Sequence, residues 1–231
     1  KINQLKFFKK IIYLLIQIQK IKQKKIKNFL NKNYKIENYS KKKILIETNL
    51  FLDWYIPKVI KKKNRIKLIR KLKIVFIKLL SNLKNSNNTF VHRDFHVSNL
   101  MSYRNKIGVI DNQDAVYGNI AYDLASLIDD VRYKNSNKLK DKIYYEFVKL
   151  KKINLIDFKN DFEILSVLRN LKIIGIFTRL SVRDQKDNYL KLIPYAWNLI
   201  ESRINKNKNF KELKLILDNH FSKKIRKLKL K

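Results

Sequence analysis

Between Val91 and Ala125 the residue vocabulary of this chain changes. The segment reads VHRDFHVSNLMSYRNKIGVIDNQDAVYGNIAYDLA. It holds two of the three histidines, the single methionine and two of the three glycines. Lysine, isoleucine, leucine and asparagine dominate elsewhere. His92-Arg93-Asp94 is followed by four residues and then by Asn99. NLMSY (99 to 103) and KIGVI (106 to 110) read as two short strands of a hairpin turning near Arg104-Asn105. Asp111 closes the second strand. An antiparallel pair returns its two ends to one edge, so Asp94 and Asn99 on one side and Asp111 on the other are expected to meet there.

His-Arg-Asp with an Asn at that offset matches the protein-kinase catalytic loop, H-R-D-x-x-x-x-N. The set continues in order with Gly118 and with Asp123-Leu124-Ala125 opening a helix. At these residues the chain resembles the aminoglycoside phosphotransferase and choline kinase group, the small-molecule relatives of protein kinases. It is more closely similar to the bacterial anomeric N-acetylmuramate/N-acetylglucosamine kinases of cell-wall recycling. The matching residues are His92 to Met101, Asp111, Gln113 to Ala115, Tyr117-Gly118 and Tyr122 to Leu127. ETNLFLDWY (47 to 55) and RNLKIIGIFTRL (169 to 180) look like that subfamily as well. Asn112 departs from the pattern, standing where an aromatic residue is expected.

Phosphoryl transfer requires an acceptor hydroxyl held in line with the γ-phosphate and cations over the phosphate oxygens. The resemblance implies that Asp94 is the catalytic base, that Asn99 and Asp111 bind Mg2+, and that Asp123 is a buried brace for the loop. It implies ATP and Mg2+ as cofactors, with a small-molecule sugar and a nucleotide as partners. An amide oxygen and a carboxylate suit a hard cation that keeps several waters. His92 is read as structural. His96 is read either as a hydrogen-bonded spacer or as a participant, with the spacer role favoured.

The 45% apolar content supplies a sizeable core, and three glycines and two prolines leave room for few tight turns. No cysteine is present, which excludes disulfides and cysteine-held zinc and fits a reducing, cytoplasmic setting. The formal charge of +35 invites a nucleic-acid partner. That reading is set aside, because lysine, isoleucine and asparagine are enriched together, as A/T-rich codons would produce, and the lysines are spread over helical polar faces. The apolar run from Ile11 to Ile18 is too short to span a bilayer and no small-residue cleavage site follows it. No membrane association is expected.

Apolar residues at Leu5, Phe8, Ile12, Leu15 and Ile16 predict an amphipathic helix over 2 to 19. Residues 20 to 43 read as a short helix and a loop, and 44 to 60 as an aromatic helix ending near Pro57. Asn64 reads as the cap of a helix running to about Leu83. Thr89 to Val91 reads as a strand delivering the loop. Helices are predicted over 121 to 131, 135 to 152, 162 to 180, 186 to 203 and 210 to 221. Arg169, Lys172 and Arg179 interrupt the apolar 162 to 180 helix, and buried cations need partners. Either they pair with Asp129, Asp130 or Asp184, or Arg169 and Arg179 contact an acceptor sugar, through a carboxylate for instance. Glu47 is a further candidate for sugar hydroxyls, with Asp53 held open beside it.

The Gly-rich loop and the strand lysine of a complete kinase fold are not found, since Gly108, Gly118 and Gly175 are scattered. The expected fold is therefore mainly α with a small β-hairpin (α+β), the C-terminal lobe of a kinase-like fold over residues 1–231, with the N-terminal β lobe missing. Beginning at Lys1, the chain reads as a fragment, inactive alone. Two other functions compete with a sugar kinase. An aminoglycoside phosphotransferase would need an acidic cleft, against which 19 acidic residues beside 54 basic ones weigh. A non-catalytic scaffold or nucleic-acid binder would have no use for Asp94, Asn99 and Asp111 together.

Overall fold

A computed structural model describes residues 4–27, 29–104, 106–205 and 207–227. In chain order it runs α1 (Gln4–Ile18), β1 (Lys25–Lys27), β2 (Asn33–Lys35), α2 (Lys41–Thr48), a π turn (Phe51–Tyr55), α3 (Ile56–Val59), α4 (Lys62–Ser81) and β3 (Thr89–Val91). It continues with a 3₁₀ turn (Val97–Asn99), β4 (Leu100–Tyr103), β5 (Lys106–Val109), β6 (Val116–Gly118), α5 (Tyr122–Ile128), α6 (Asn137–Lys151) and α7 (Leu155–Asp184). A 3₁₀ turn (Asp187–Leu192), α8 (Ile193–Ile204), another 3₁₀ turn (Lys208–Phe210), α9 (Lys211–His220) and α10 (Lys223–Lys227) complete it. The chain is mainly helical with small antiparallel sheets, as expected. No helix among the described residues is long and apolar enough to cross a membrane.

Two compact units result: Lys1–Ser40 with Lys84–Phe162, and Lys41–Leu83 with Glu163–Lys231. In the first, α1 lies against α6. The three-and-four spacing of Phe8, Ile12, Leu15 and Ile16 puts all four on one buried face, opposite Ile143 and Phe147 of α6. Ile2 and Asn3, where this helix was expected to begin, lie outside the described residues. Ser136 caps α6 by accepting from Leu139 N at 3.3 Å, and Lys152 ends it in the left-handed region at φ 49°. Strand β3 pairs antiparallel with β6, Val91 facing Val116. Asp161, fully buried, accepts from the backbone of Lys84 and Asn85 at 2.8 Å each and from Asn119 Nδ2 at 2.7 Å, which fixes the polar stretch leading into β3.

The helix expected within 20 to 43 is a correction. Lys25–Lys27 and Asn33–Lys35 form a two-stranded ladder instead, Ile26 opposite Tyr34, with both strands exposed. Three residues each and exposed throughout, the strands of this ladder are too short to give a period-two apolar signal. What holds it is pairing and the Ile26–Tyr34 cross-strand contact.

In the second unit, α2, α3 and α9 pack on α4. Asn64 is not its cap: α4 starts at Lys62 after an extended Lys61 with no side-chain cap, and Asn64 N donates to Lys61 O within the first turn. The aromatic segment is helical, as expected, but winds through a π turn in which Ile56 N donates to Phe51 O, five residues back. Phe51, Tyr55, Trp197 and Phe221 form its core, with ring centroids 5.2–6.1 Å apart. Trp197 Nε1 donates to the Tyr55 hydroxyl at 3.0 Å. Burial there pushes the Tyr55 phenol up to about 12.

Candidate active site

The catalytic-loop residues all lie in the first unit. Strand β3 delivers Val91, and the chain then turns sharply. Asp123, in the first turn of α5, is fully buried, and its two carboxylate oxygens take the backbone N–H groups of His92 (2.8 Å) and Arg93 (3.0 Å). Arg93 is held at φ 72°, in the left-handed region that non-glycine residues seldom occupy. Strain of that kind persists only where surrounding bonds over-determine it, as this buried carboxylate does. The Arg93 guanidinium donates to Asp114 O at 3.2 Å and lies 5.2 Å from the Tyr39 ring centroid.

Past the turn, the Asp94 carbonyl accepts from His96 N (2.9 Å) and from Asn99 Nδ2 (3.0 Å), and His96 O accepts from Asn99 N (3.0 Å). The Asn99 amide nitrogen is thereby engaged, which leaves Oδ1 as the acceptor of that side chain. Asn99 O accepts from Ile110 N at 3.0 Å, extending by one residue a ladder in which Leu100 faces Val109. The expected hairpin is present, and Asp111 leaves it beside Asn99. Asn105 of its turn lies outside the described residues. Asp111 adopts φ 68°, a second strained residue at this edge, and its side chain faces solvent. The Asp94 carboxylate is partly exposed and has no hydrogen bond or ion pair to another described residue. His96 is buried and holds the turn through its backbone.

His92 is buried, with Nε2 3.1 Å from the Ile110 carbonyl just before Asp111. A carbonyl only accepts, so Nε2 carries the proton. Desolvation lowers the His92 pKa, outweighing the Ile110 bond and the charges of Asp94 and Asp111, which raise it. The folded chain therefore keeps His92 neutral where the unfolded chain protonates it. This contribution to stability is complete above the unfolded value of about 6.5 and declines as pH falls below it. Denaturant midpoints measured between about pH 7.5 and about pH 5 are expected to fall more steeply for the wild type than for His92→Gln, whose amide can serve the same carbonyl. Equal slopes would remove His92 as the cause.

Sequence reasoning gave Asp129 and Asp130 only as possible partners for distant cations. The structure gives each one its own partner within the first unit: Lys140 Nζ lies 3.0 Å from Asp129 and Arg132 Nη1 lies 3.6 Å from Asp130. Asp130 also reaches the loop, since Val97 N donates to its Oδ2 at 3.3 Å. The available signal was a pair of acids directly after an apolar helix.

Glu47, Arg169 and Arg179 belong to the second unit. Glu47 pairs with Lys172 Nζ at 2.5 Å. Asp184 is taken by Arg183, with Arg179 acting on it at longer range. Arg169 is 5% exposed, and its Nη1 has no hydrogen-bond partner among the described residues.

Asn99 and Asp111 thus lie at one edge of the hairpin, beside Asp94 on a turn braced by Asp123. Residues 44–143 match the model of the phosphotransferase enzyme family, and the resemblance drawn from the loop motif is borne out. The chain is 35% identical over 173 residues to the N-acetylmuramate/N-acetylglucosamine kinase of Neisseria meningitidis, covering 71% of this chain and 52% of that protein. It is 29% identical over 175 residues to the protein of the same name from Pseudomonas aeruginosa, covering 72% of this chain and 52% of that protein. The chain thus spans about half the length of these curated relatives.

Proposed function

We propose that this chain carries the catalytic loop of an ATP-dependent small-molecule kinase. It would transfer the γ-phosphate to a sugar hydroxyl, the anomeric hydroxyl of N-acetylmuramate or N-acetylglucosamine. The observation that carries the reading is the Asp94 turn, locked by Asp123 and by Asn99, with Asp111 delivered to the same edge. In this reading the Asp94 carboxylate orients the acceptor hydroxyl and takes its proton. The new O–P bond forms as the bond to the bridging oxygen of ATP breaks and ADP leaves. Asn99 Oδ1 and Asp111 would hold Mg2+, which supplies charge neutralisation on the phosphates. Among the described residues no cluster of three or more histidine, cysteine or acidic ligands exists. A cation held by Asn99 and Asp111 would complete its shell with phosphate oxygens and water.

Nucleotide contacts from a Gly-rich loop and its lysine belong, in this reading, to a lobe outside these 231 residues. In this reading the reaction is cytoplasmic, where ATP is available. The names of the relatives and the oxygen donors at the hairpin edge support the reading. The test is to incubate the complete protein with ATP, Mg2+ and N-acetylmuramate and to follow 31P NMR. A sugar 1-phosphate resonance is the expected product. ATP turnover with no phosphate on N-acetylmuramate, N-acetylglucosamine or an aminoglycoside would overturn the acceptor assignment.

A further inference from the structure

Every helical turn begins with N–H groups that have no acceptor inside it. The 3₁₀ turn Val97–Asn99 is the piece of chain that presents Asn99, and its leading N–H belongs to Val97. That N–H is taken by Asp130 Oδ2 at 3.3 Å. Asp130 lies two residues beyond the end of α5 and its side chain is fully buried. A carboxylate buried in this way is costly unless its charge and lone pairs are answered. They are answered by Arg132, whose N–H reaches Oδ1 at 3.0 Å and whose guanidinium lies 3.6 Å away. Two acceptor oxygens are used at once, one for the loop and one for Arg132. Asparagine has one acceptor oxygen and cannot serve both in the same way.

The two ends of α5 therefore grip the catalytic loop on either side of Asp94. Asp123 holds His92 and Arg93 before it, and Asp130 holds Val97 after it. Past Asp94 the loop closes on itself through His96 N and Asn99 Nδ2 to Asp94 O and through Asn99 N to His96 O, and Ile110 N ties Asn99 O to the hairpin. Ile110 N holds the far end of the Val97–Asn99 turn, and the Asp130 bond holds its start. We propose that Asp130 is a positioning residue: by capping the Val97 turn it aims the Asn99 amide oxygen at the cation. The proposal rests on the kinase reading for the role of Asn99. The grip on Val97 itself does not.

The experiment uses the complete protein with Asp130→Ala and Asp130→Asn. Loss of an outer support of a metal ligand costs about 10- to 100-fold in metal affinity. The half-saturating Mg2+ concentration of Asp130→Ala is therefore expected to rise about tenfold or more, and kcat to fall by up to about 10²-fold. KM for the acceptor sugar stays unchanged. Asp130→Asn falls between the two. Hydrogen exchange of the Val97 amide accelerates in both variants. Asp161→Asn provides the contrast, because that buried carboxylate serves Lys84, Asn85 and Asn119 and not the loop. It is expected to lower Tm and leave the Mg2+ requirement alone. A wild-type Mg2+ requirement in folded Asp130→Ala overturns the proposal. Should that variant fail to fold, wild-type Val97 exchange in Asp130→Asn overturns it instead. If the wild-type protein transfers no phosphate, the kinase reading fails, and the Val97 exchange rate still decides whether Asp130 holds the turn.

Discussion

Asp94→Asn is expected to lower the rate of phosphoryl transfer by about 10³-fold while leaving the protein folded. The two expectations come from different atoms of one residue. What holds the turn together is the Asp94 carbonyl, which accepts from His96 N and from Asn99 Nδ2. The carboxylate has no hydrogen bond or ion pair to another described residue. Asparagine keeps the carbonyl and the side-chain shape and removes only the group that can take a proton. Tm should therefore stay within about 2 °C of the wild type. Asp123 reverses this division, because its carboxylate is the structural group, and Asp123→Ala should cost stability and activity together. Activity of Asp94→Asn above a tenth of the wild type would remove Asp94 as the base. A matching fall in Tm would show that the loss is one of folding.

The legible part of this molecule was the part where chemistry restricts residue type. In the proposed reading a general base and a carboxylate ligand cannot be exchanged for lysine or isoleucine, so Asp94 and Asp111 stand out by type, and Asn99 stands out only by its offset from His92-Arg93-Asp94. The hairpin that joins them could be read because its strands flank a turn and carry β-branched and apolar residues. The helix at Gln4–Ile18 showed itself through its apolar spacing. The missed features are those decided by long-range partners. Lys25–Lys27 and Asn33–Lys35 are strands only because they face each other. Asp161 looks like any acid on a helix until Lys84, Asn85 and Asn119 converge on it. Lys172 finds Glu47, 125 positions away in sequence, which no local pattern indicates. The π turn at Phe51–Tyr55 is a difference in backbone hydrogen bonding, i to i+5 in place of i to i+4, and composition does not record it.

That π turn sets up the largest stability effect expected from a single methyl group. Gly175 lies inside α7, where exchanging glycine for alanine normally stabilises a helix by about 1 kcal/mol. Here a Cβ at Gly175 would sit 2.3 Å from the Leu50 carbonyl carbon, 2.4 Å from Phe51 N and 2.5 Å from Leu50 O. All three are backbone atoms, so no rotamer change can relieve the overlap. Either α7 or the entrance to the π turn must move, and Phe51 moves with it. Phe51 packs against Tyr55, Trp197 and Phe221 in the core of the second unit, so a shift at residue 50 or 51 disturbs four large side chains. Interiors packed at crystal-like density do not absorb such a displacement cheaply. Gly175→Ala is accordingly expected to destabilise the protein by about 3 kcal/mol, a fall in Tm of roughly 6–12 °C for a chain of this size. The sign is what makes the experiment decisive. Helix propensity acting alone raises Tm, whereas direct backbone contact between α7 and residues 50–51 lowers it. A raised or unchanged Tm would mean that the glycine is not there to let two backbones touch.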